Sequence, residues 1–497
     1  MNGLPILSIL LWWPLALAAA TRMGGVRARG IALAGSLLEL LLSLVTIRKF
    51  VNGSAAMQFV EQVPLLGGCT YHLGVDGLSL WFLPISAAFT LLLLVADPGD
   101  KGRMATILTL ETCTLGMFLS LDLSLFAFWF MAEMWPSWQL IVTGSRPSPG
   151  YYWVYMASAG VALLAGVALL GFNHYRLAGT VSFDLDPLSA ITLPLYTQKI
   201  IFALLFLACA VRIPVFPLHA WMPRVVEQTG PIGISVFLVG LKPAAFALMR
   251  FAIPLLPQAA VQLAPWLGAL GFAGMLYAGL VALVQTDLRR MLAFACISHM
   301  GVVLMGLAAM NEAAFTGTLL QLLSLGVAIT GLFMVAGSLY RRLGCTEATR
   351  MGGLMQRTPR LGLVFLVTAL GAVGMPGTSG FNGEHLIMLG ALTSHWALAL
   401  GVGLATFLTA AYMLNYFQRA FLRPALDGEE PVADLDRWEG LAAGATCALV
   451  LGMGLVSSPF VQSMDSSTDA LAVRVSGYSA AEPWFFPYIG HQNGKAD

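Results

Sequence analysis

Apolar runs of about twenty residues recur along the chain from residue 5 to residue 457. That is the length an α-helix needs to cross the hydrocarbon core of a bilayer. Lipid offers no partner to backbone N–H and C=O groups, so a spanning segment satisfies them internally as a helix or within a closed barrel. Unbroken apolar runs of this length select the helix. The balance of residues agrees: 58% of the 497 residues are hydrophobic and 10% are charged, against roughly a quarter charged in a soluble domain. The expected fold class is an all-α polytopic membrane protein.

Fourteen spans are expected. They run 5–20, 30–47, 78–95, 104–120, 122–142, 152–172, 199–222, 231–252, 263–284, 290–308, 314–340, 361–394, 396–421 and 438–457. If the loop between the first two spans is cytoplasmic, seventeen loop Lys and Arg fall on that side and six on the other. The excess of basic residues in cytoplasmic loops then places both termini on the non-cytoplasmic side, which in a bacterium means the cytoplasmic (inner) membrane. Ala18-Ala19-Ala20 resembles a signal-peptide cleavage site, but the basic cluster Arg22, Arg27 and Arg29 follows the first span and none precedes it. The first span therefore reads as a retained helix. The six cysteines, at 69, 113, 209, 296, 345 and 447, show no close pairing and read as inert thiols. With a net charge of +1 and no basic tail, nucleic acid is excluded as a partner. The lipid bilayer is the partner that composition implies.

Two runs are interrupted. Arg212-Ile213-Pro214-Val215-Phe216-Pro217 breaks span 7, and Gly374-Met375-Pro376-Gly377-Thr378-Ser379-Gly380 breaks span 12. Interrupted helices in corresponding positions of two halves are a mark of inverted-repeat transporters with a site at membrane depth. Spans 4–8 and 9–13 form two such sets of five, each with its broken helix as the fourth member. The expected organisation is helices 1–3 over 1–103, a first repeat over 104–252, a second over 263–421, and helix 14 with a polar tail over 438–497.

Charge at membrane depth is rare and marks ion paths. Four charges stand out deep inside the runs: Glu133 in span 5, Arg212 in span 7, Lys242 in span 8 and Glu384 in span 12. Glu133 either pairs with a cation or takes up a proton. Lys242, beside Pro243, is either a proton donor and acceptor or a structural lysine; Pro243 removes a backbone donor and loosens the helix there. Glu384, just after the glycine-rich break, reads as an exit-side group or as a residue near the interface. His299 is a candidate relay, because histidine titrates near neutrality, although a lone helix histidine also serves in a simple hydrogen bond. Glu111 in span 4 and Glu39 in span 2 are weaker candidates, with Glu39 expected to face lipid headgroups or another subunit. No dinucleotide fingerprint, P-loop, iron–sulfur cysteine set, haem signature or metal-ligand set is present. The chain is expected to carry no cofactor and to draw its energy from a partner or an ion gradient.

Six motifs occur in order between about residues 70 and 425. They are Leu73-Gly74-Val75-Asp76-Gly77-Leu78-Ser79, His219-Ala220-Trp221-Met222-Pro223, Thr286-Asp287-Leu288-Arg289-Arg290, Ser298-His299-Met300-Gly301, Met351-Gly352-Gly353-Leu354 and Met375-Pro376-Gly377-Thr378. In order and spacing they resemble the antiporter-like membrane subunits of bacterial NADH:quinone oxidoreductase (complex I), of the subunit M or mitochondrial chain 4 type. The resemblance implies a fourteen-helix proton channel with two inverted five-helix repeats and broken helices 7 and 12. It assigns Glu133 as the acid on helix 5, Lys242 as the lysine on helix 8, His299 as the central histidine, Glu384 as the acid on helix 12 and Glu111 as the acid on helix 4. It implies other membrane-arm subunits as partners, with NADH or another donor, flavin, iron–sulfur and quinone on them.

Three positions depart from the pattern. Arg212 stands where the family has lysine, Leu325 replaces a histidine on helix 11, and residues 224–233 replace a loop that usually carries histidine and Pro-Thr-Ala. Arginine keeps its proton in proteins, so Glu133 and Arg212 are expected to form a fixed ion pair. Three functional readings remain at this point: a proton-translocating subunit of a complex I-type oxidoreductase; a subunit of a cation/proton antiporter or of a hydrogenase- or CO2-hydration-linked relative; and a scaffold that has lost pumping.

Overall fold

The structure is a computed structural model that describes residues 5–96, 99–144, 149–228, 242–425 and 432–478. Helices α1 (Ile6–Met23) and α2 (Ala28–Lys49) lead into a hairpin of β1 (Gln58–Pro64) and β2 (Thr70–Val75). Then come α3 (Phe82–Ala96), α4 (Lys101–Leu119), α5 (Leu123–Ala132), α6 (Met134–Gly144) and α7 (Pro149–Ala178). The short α8 (Leu185–Ala190) precedes α9 (Leu195–Arg212), α10 (Trp221–Gln228), α11 (Pro243–Ala247) and α12 (Ile253–Leu255). The second half holds α13 (Pro257–Val284), α14 (Leu288–Ala308), α15 (Glu312–Leu343), α16 (Leu354–Arg357), α17 (Pro359–Val373), α18 (Ser379–Ser394) and α19 (Trp396–Phe417). It closes with α20 (Arg437–Leu455) and α21 (Ser458–Ser476).

Among the described residues, nine helices are long and apolar enough to cross a membrane. They occupy nine of the fourteen expected spans. The other five, spans 3, 4, 5, 8 and 12, are helical in their described parts but shorter, broken or charged. Residues 229–241, the first half of expected span 8, lie outside the described residues.

The breaks have local causes. Pro136 has no N–H for the Ala132 carbonyl, and α5 gives way to α6 at Glu133. Pro214 and Pro217 end α9 after Arg212. Gly374 and Gly377 take positive φ on either side of Pro376 and part α17 from α18. Pro254 leaves the Arg250 carbonyl without its helical donor, and residues Leu248–Ala252 widen into a π turn.

Two elements fall outside the expected spans. The β1–β2 hairpin fell in a polar connection where hydropathy windows register only a gap. Its Glu61 carboxylate accepts from the backbone N–H groups of Leu7 (2.8 Å) and Ser8 (3.0 Å), satisfying first-turn donors of α1 from outside the helix. His72 on β2 meets Asp184 at 2.8 Å, and Asp122, which caps α5, also accepts from the Thr70 N–H at 3.0 Å. The second element is α21, in what was expected to be a polar tail. Its polar face is used rather than solvated: Ser463 accepts from Trp81 Nε1 (2.7 Å), Ser467 from the Gly77 N–H (3.0 Å), and Thr468 pairs with Thr316 on α15 (2.8 Å).

The core is built around α14 and α15, both buried except at their ends. Small residues allow this. Gly271 on α13 and Gly301 on α14 face each other so closely that a Cβ on Gly301 would stand 2.4 Å from the Gly271 carbonyl oxygen. A Cβ on Gly383 of α18 would stand 2.7 Å from the Gln321 backbone nitrogen on α15. Such close approach is how membrane helices gain packing contact when lipid offers no hydrophobic drive. Gly383→Val is therefore expected to destabilise the α15–α18 contact by about 1–3 kcal/mol. The thermal unfolding midpoint of the detergent-solubilised protein measures this, and an unchanged midpoint would refute the packing argument.

Candidate functional site

The first cluster forms where α5 and α9 break. Arg212 Nη2 lies 2.9 Å from Glu133 Oε2, with both side chains buried. The same guanidinium donates through Nη1 to the Phe130 carbonyl at 2.7 Å and sits 3.9 Å above the centre of the Phe130 ring. Three contacts thus fix it: a carboxylate, a backbone acceptor freed near the α5–α6 break, and an aromatic face. On the other side of the α9 break, Trp221 Nε1 donates to the Val211 carbonyl at 2.8 Å. The expected ion pair is present.

Lys242 sits at the N-terminal end of α11, buried, within the electrostatic reach of both Glu133 and Arg212. Its side chain meets Cys296 on α14. Cys296 lies one residue short of a full turn before His299 on that central helix, so the contact links the two halves. None of the six cysteines is in a disulfide.

Glu384 forms the second cluster. It is buried, and His299 Nδ1 lies 3.7 Å from its Oε1. Gln321 Nε2 on α15 donates to Oε1 at 3.1 Å, and Thr406 Oγ1 on α19 donates to Oε2 at 2.7 Å. Neither ring nitrogen of His299 makes a hydrogen bond among the described residues. The close α15–α18 approach at Gly383 is what brings Gln321 within reach of its neighbour Glu384.

Glu111 is fully buried on α4, apart from both clusters, and Glu39 on α2 is also buried. The expectation that Glu39 faces headgroups or a partner is overturned: its position on the helix turns it inward. Leu325 is buried on α15, and the polar group reaching Glu384 comes from Gln321, one turn earlier. Of residues 224–233, Arg224 lies 4.6 Å over the Tyr151 ring, and 229–233 lie outside the described residues.

The family model for the NADH:quinone oxidoreductase/Mrp antiporter transmembrane region matches residues 113–409, more than half of the chain. The chain belongs to this family. It is 30% identical over 460 residues to NADH-quinone oxidoreductase subunit M of Rickettsia typhi, covering 89% of this chain and 92% of that one. To the subunit M of Rhodobacter capsulatus it is 31% identical over 483 residues, covering 91% and 93%. A chain in the structure of respiratory complex I from Thermus thermophilus with bound NADH superposes with a TM-score of 0.88 at 31% identity, covering 94% of this chain and 99% of that one. The chain is thus an integral multi-pass membrane protein of the antiporter-like type.

Within this family member the sequence reading overlooked a further buried charge inside an expected span. Arg250, in the π turn, makes a two-pronged contact with Asp76, Nη1 to Oδ2 at 2.7 Å and Nη2 to Oδ1 at 2.5 Å. Asp76 Oδ1 also accepts from the backbone N–H groups of Leu78 and Ser79. The pair ties the end of expected span 8 to the turn before α3 and accounts for the acid in Leu73-Gly74-Val75-Asp76-Gly77. The signal was available, since Arg250 lies within the 231–252 run. Gln321 and Thr406 carried no signal, because neutral polar residues are common in membrane helices.

Removing one partner of a buried pair strands the other charge, at a cost of about 3–5 kcal/mol. Arg212→Ala is therefore expected to lower the yield of folded protein in membranes sharply, whereas Arg212→Ala with Glu133→Gln recovers most of it. Quantifying folded protein by size-exclusion profile distinguishes these outcomes; equal yields for the single and double variants would mean that the pair is not what holds α5 to α9.

Proposed function

We propose that this chain is a proton-translocating membrane-arm subunit of a complex I-type NADH (or other donor):quinone oxidoreductase, with electron transfer on partner subunits driving proton movement through its buried groups. The observation that carries the reading is the sequence of buried charged and polar groups, Glu133–Arg212, Lys242–Cys296 and His299–Glu384, placed at helix breaks and crossing from the first half to the second on α14. We read 104–252 and 263–421 as the two repeats that meet there.

In this reading Lys242 is the mobile proton carrier. Pro243 leaves the backbone loose beside it, and the charges of Glu133 and Arg212 act on it directly. Arg212 does not exchange its proton, so the Glu133–Arg212 pair is a fixed electrostatic element that biases Lys242, not a relay stage. His299, with both ring nitrogens uncommitted, passes a proton between Lys242 and Glu384. Glu384, with Gln321 and Thr406 donating to its two oxygens, is the terminal carboxylate of the described path. In this reading flavin, iron–sulfur, NADH and quinone belong to partner subunits, and the excess of basic residues in alternate loops supports both termini lying outside the cytoplasm. The isolated chain is accordingly expected to show no flavin, haem or iron–sulfur absorbance.

The ratio of protons moved to electrons transferred, measured in sealed vesicles of the assembled enzyme, tests the reading. Lys242→Met is expected to lower the ratio while leaving assembly and electron transfer in place. An unchanged ratio would remove Lys242 from the path and favour a scaffold that has lost pumping. Arg212→Lys is expected to assemble and to retain or raise the ratio, since it supplies an exchangeable proton beside Glu133. A ratio abolished in an intact assembly would instead mean that the guanidinium itself is required for conduction.

A further inference from the structure

Two buried carboxylates stand outside the path from Glu133 to Glu384. On α2, Ser36, Glu39, Ser43 and Thr46 are buried at spacings of three and four residues, which keeps them on one face. Leu37, Leu38, Leu41, Leu44 and Val45 are exposed and form the lipid side. The polar stripe thus points into the protein, where α1, α3 and α4 pack against α2. α3 contributes Ser86 and Thr90, one turn apart and fully buried, and α4 contributes Glu111 near its midpoint. Glu39 is likewise near the midpoint of α2, 1% exposed, and Glu111 is 0% exposed.

All four carboxylate oxygens of Glu39 and Glu111 lack a hydrogen-bond partner among the described residues, and so do Ser86 Oγ and Thr90 Oγ1. The Thr90 hydroxyl faces Glu111 without reaching bonding position, and the two carboxylates are near enough for their charges to interact. The basic residues on these helices are Arg29, Arg48 and Lys49 on α2 and Lys101 and Arg103 on α4. They are eight to ten residues away along the chain, about 12–15 Å at the helical rise. The other elements packed on α4 bring Glu133, Lys242 and His72, which are engaged by Arg212, Cys296 and Asp184 respectively. α1 brings Arg22 at its far end. Among the described residues no cation bonds to either carboxylate.

An isolated carboxylate in an apolar interior is too costly to leave ionised, and two that share a site without a counter-ion cannot both be charged. We propose that Glu39 and Glu111, with the hydroxyls of Thr90 and Ser86, form a second proton-holding site enclosed by α2, α3 and α4 and separate from the Lys242 path. Its ligand is the proton, held on the carboxyl pair with the two hydroxyls as further donors and acceptors. The site rests on the proton-translocating reading for its use in turnover, but its occupancy is measurable without turnover.

A hydrophobic carbodiimide couples to protonated carboxyl groups buried in membranes, and mass spectrometry of the digested chain locates the adduct. With native membranes and no electron donor, labelling of Glu39 or Glu111 is expected at neutral pH and is expected to fall as the pH rises. In Glu39→Gln, which keeps the volume and removes the second charge, the labelling profile of Glu111 shifts to lower pH. Glu111→Gln gives the reciprocal shift at Glu39. Absence of labelling at both residues would overturn the proposal, as would a Glu111 profile indifferent to Glu39→Gln. Protection from labelling by sodium at constant pH would also overturn it, by making the site one for a metal cation. None of these readouts depends on pumping, so failure of the Lys242→Met prediction and failure of this one are independent results.

Discussion

A helix broken inside lipid exposes N–H and C=O groups that nothing outside the protein can satisfy. The candidate site is built from the repairs to such breaks. Arg212 takes the Phe130 carbonyl beside the α5–α6 break, Trp221 takes the Val211 carbonyl at the end of α9, and Ser324 on α15 donates to the Ser379 carbonyl at the start of α18. Thr378 donates to the Met375 carbonyl within the glycine-rich turn itself. Each repair draws a polar side chain from another element, or another part of the break, to membrane depth. The charges are carried to the same places: Glu133 at the α5–α6 junction, Arg212 at the end of α9, Lys242 at the start of α11. Breaking the helices and placing the charges are one structural event.

The two halves use these breaks differently. In the first, a carboxylate meets a guanidinium that is held at once by charge, backbone and ring, an arrangement with little freedom to exchange a proton. In the second, Glu384 has neutral donors, Gln321 and Thr406, and an uncommitted imidazole at 3.7 Å. A carboxylate held by neutral donors can change its protonation state without stranding an opposite charge, which the Glu133–Arg212 pair cannot do. The substitution of arginine for lysine in the first half thus places the exchangeable groups in Lys242 and the second half. Gln321 fits this division: helix 11 keeps a polar group on Glu384 although Leu325 occupies the position where the family carries histidine.

The membrane class, the breaks at 213–217 and 374–378, and the identities of Glu133, Lys242, His299 and Glu384 were legible because each depends on local chemistry: apolar run length, proline and glycine, and charge where charge is costly. The Glu133–Arg212 pair was legible through the family resemblance, which supplied the neighbourhood of spans 5 and 7. The hairpin at 58–75 and the helix Ser458–Ser476 were not, because both are polar segments whose order comes from partners elsewhere: Ser8 and Asp184 for the hairpin, Gly77, Trp81 and Thr316 for the helix.

What the sequence determined by itself is therefore a chain of membrane helices, where those helices break, and which residues bring charge into them; lipid imposes these through single-residue costs that need no knowledge of neighbours. What only the tertiary structure decided is who meets whom. Arg250 finds Asp76 across 174 positions of sequence, Gln321 reaches Glu384 because Gly383 lets α15 and α18 touch, and Glu39 is buried in the protein rather than turned outward. Pairings of this kind depend on the approach and rotation of whole helices, and many distant residues set those together.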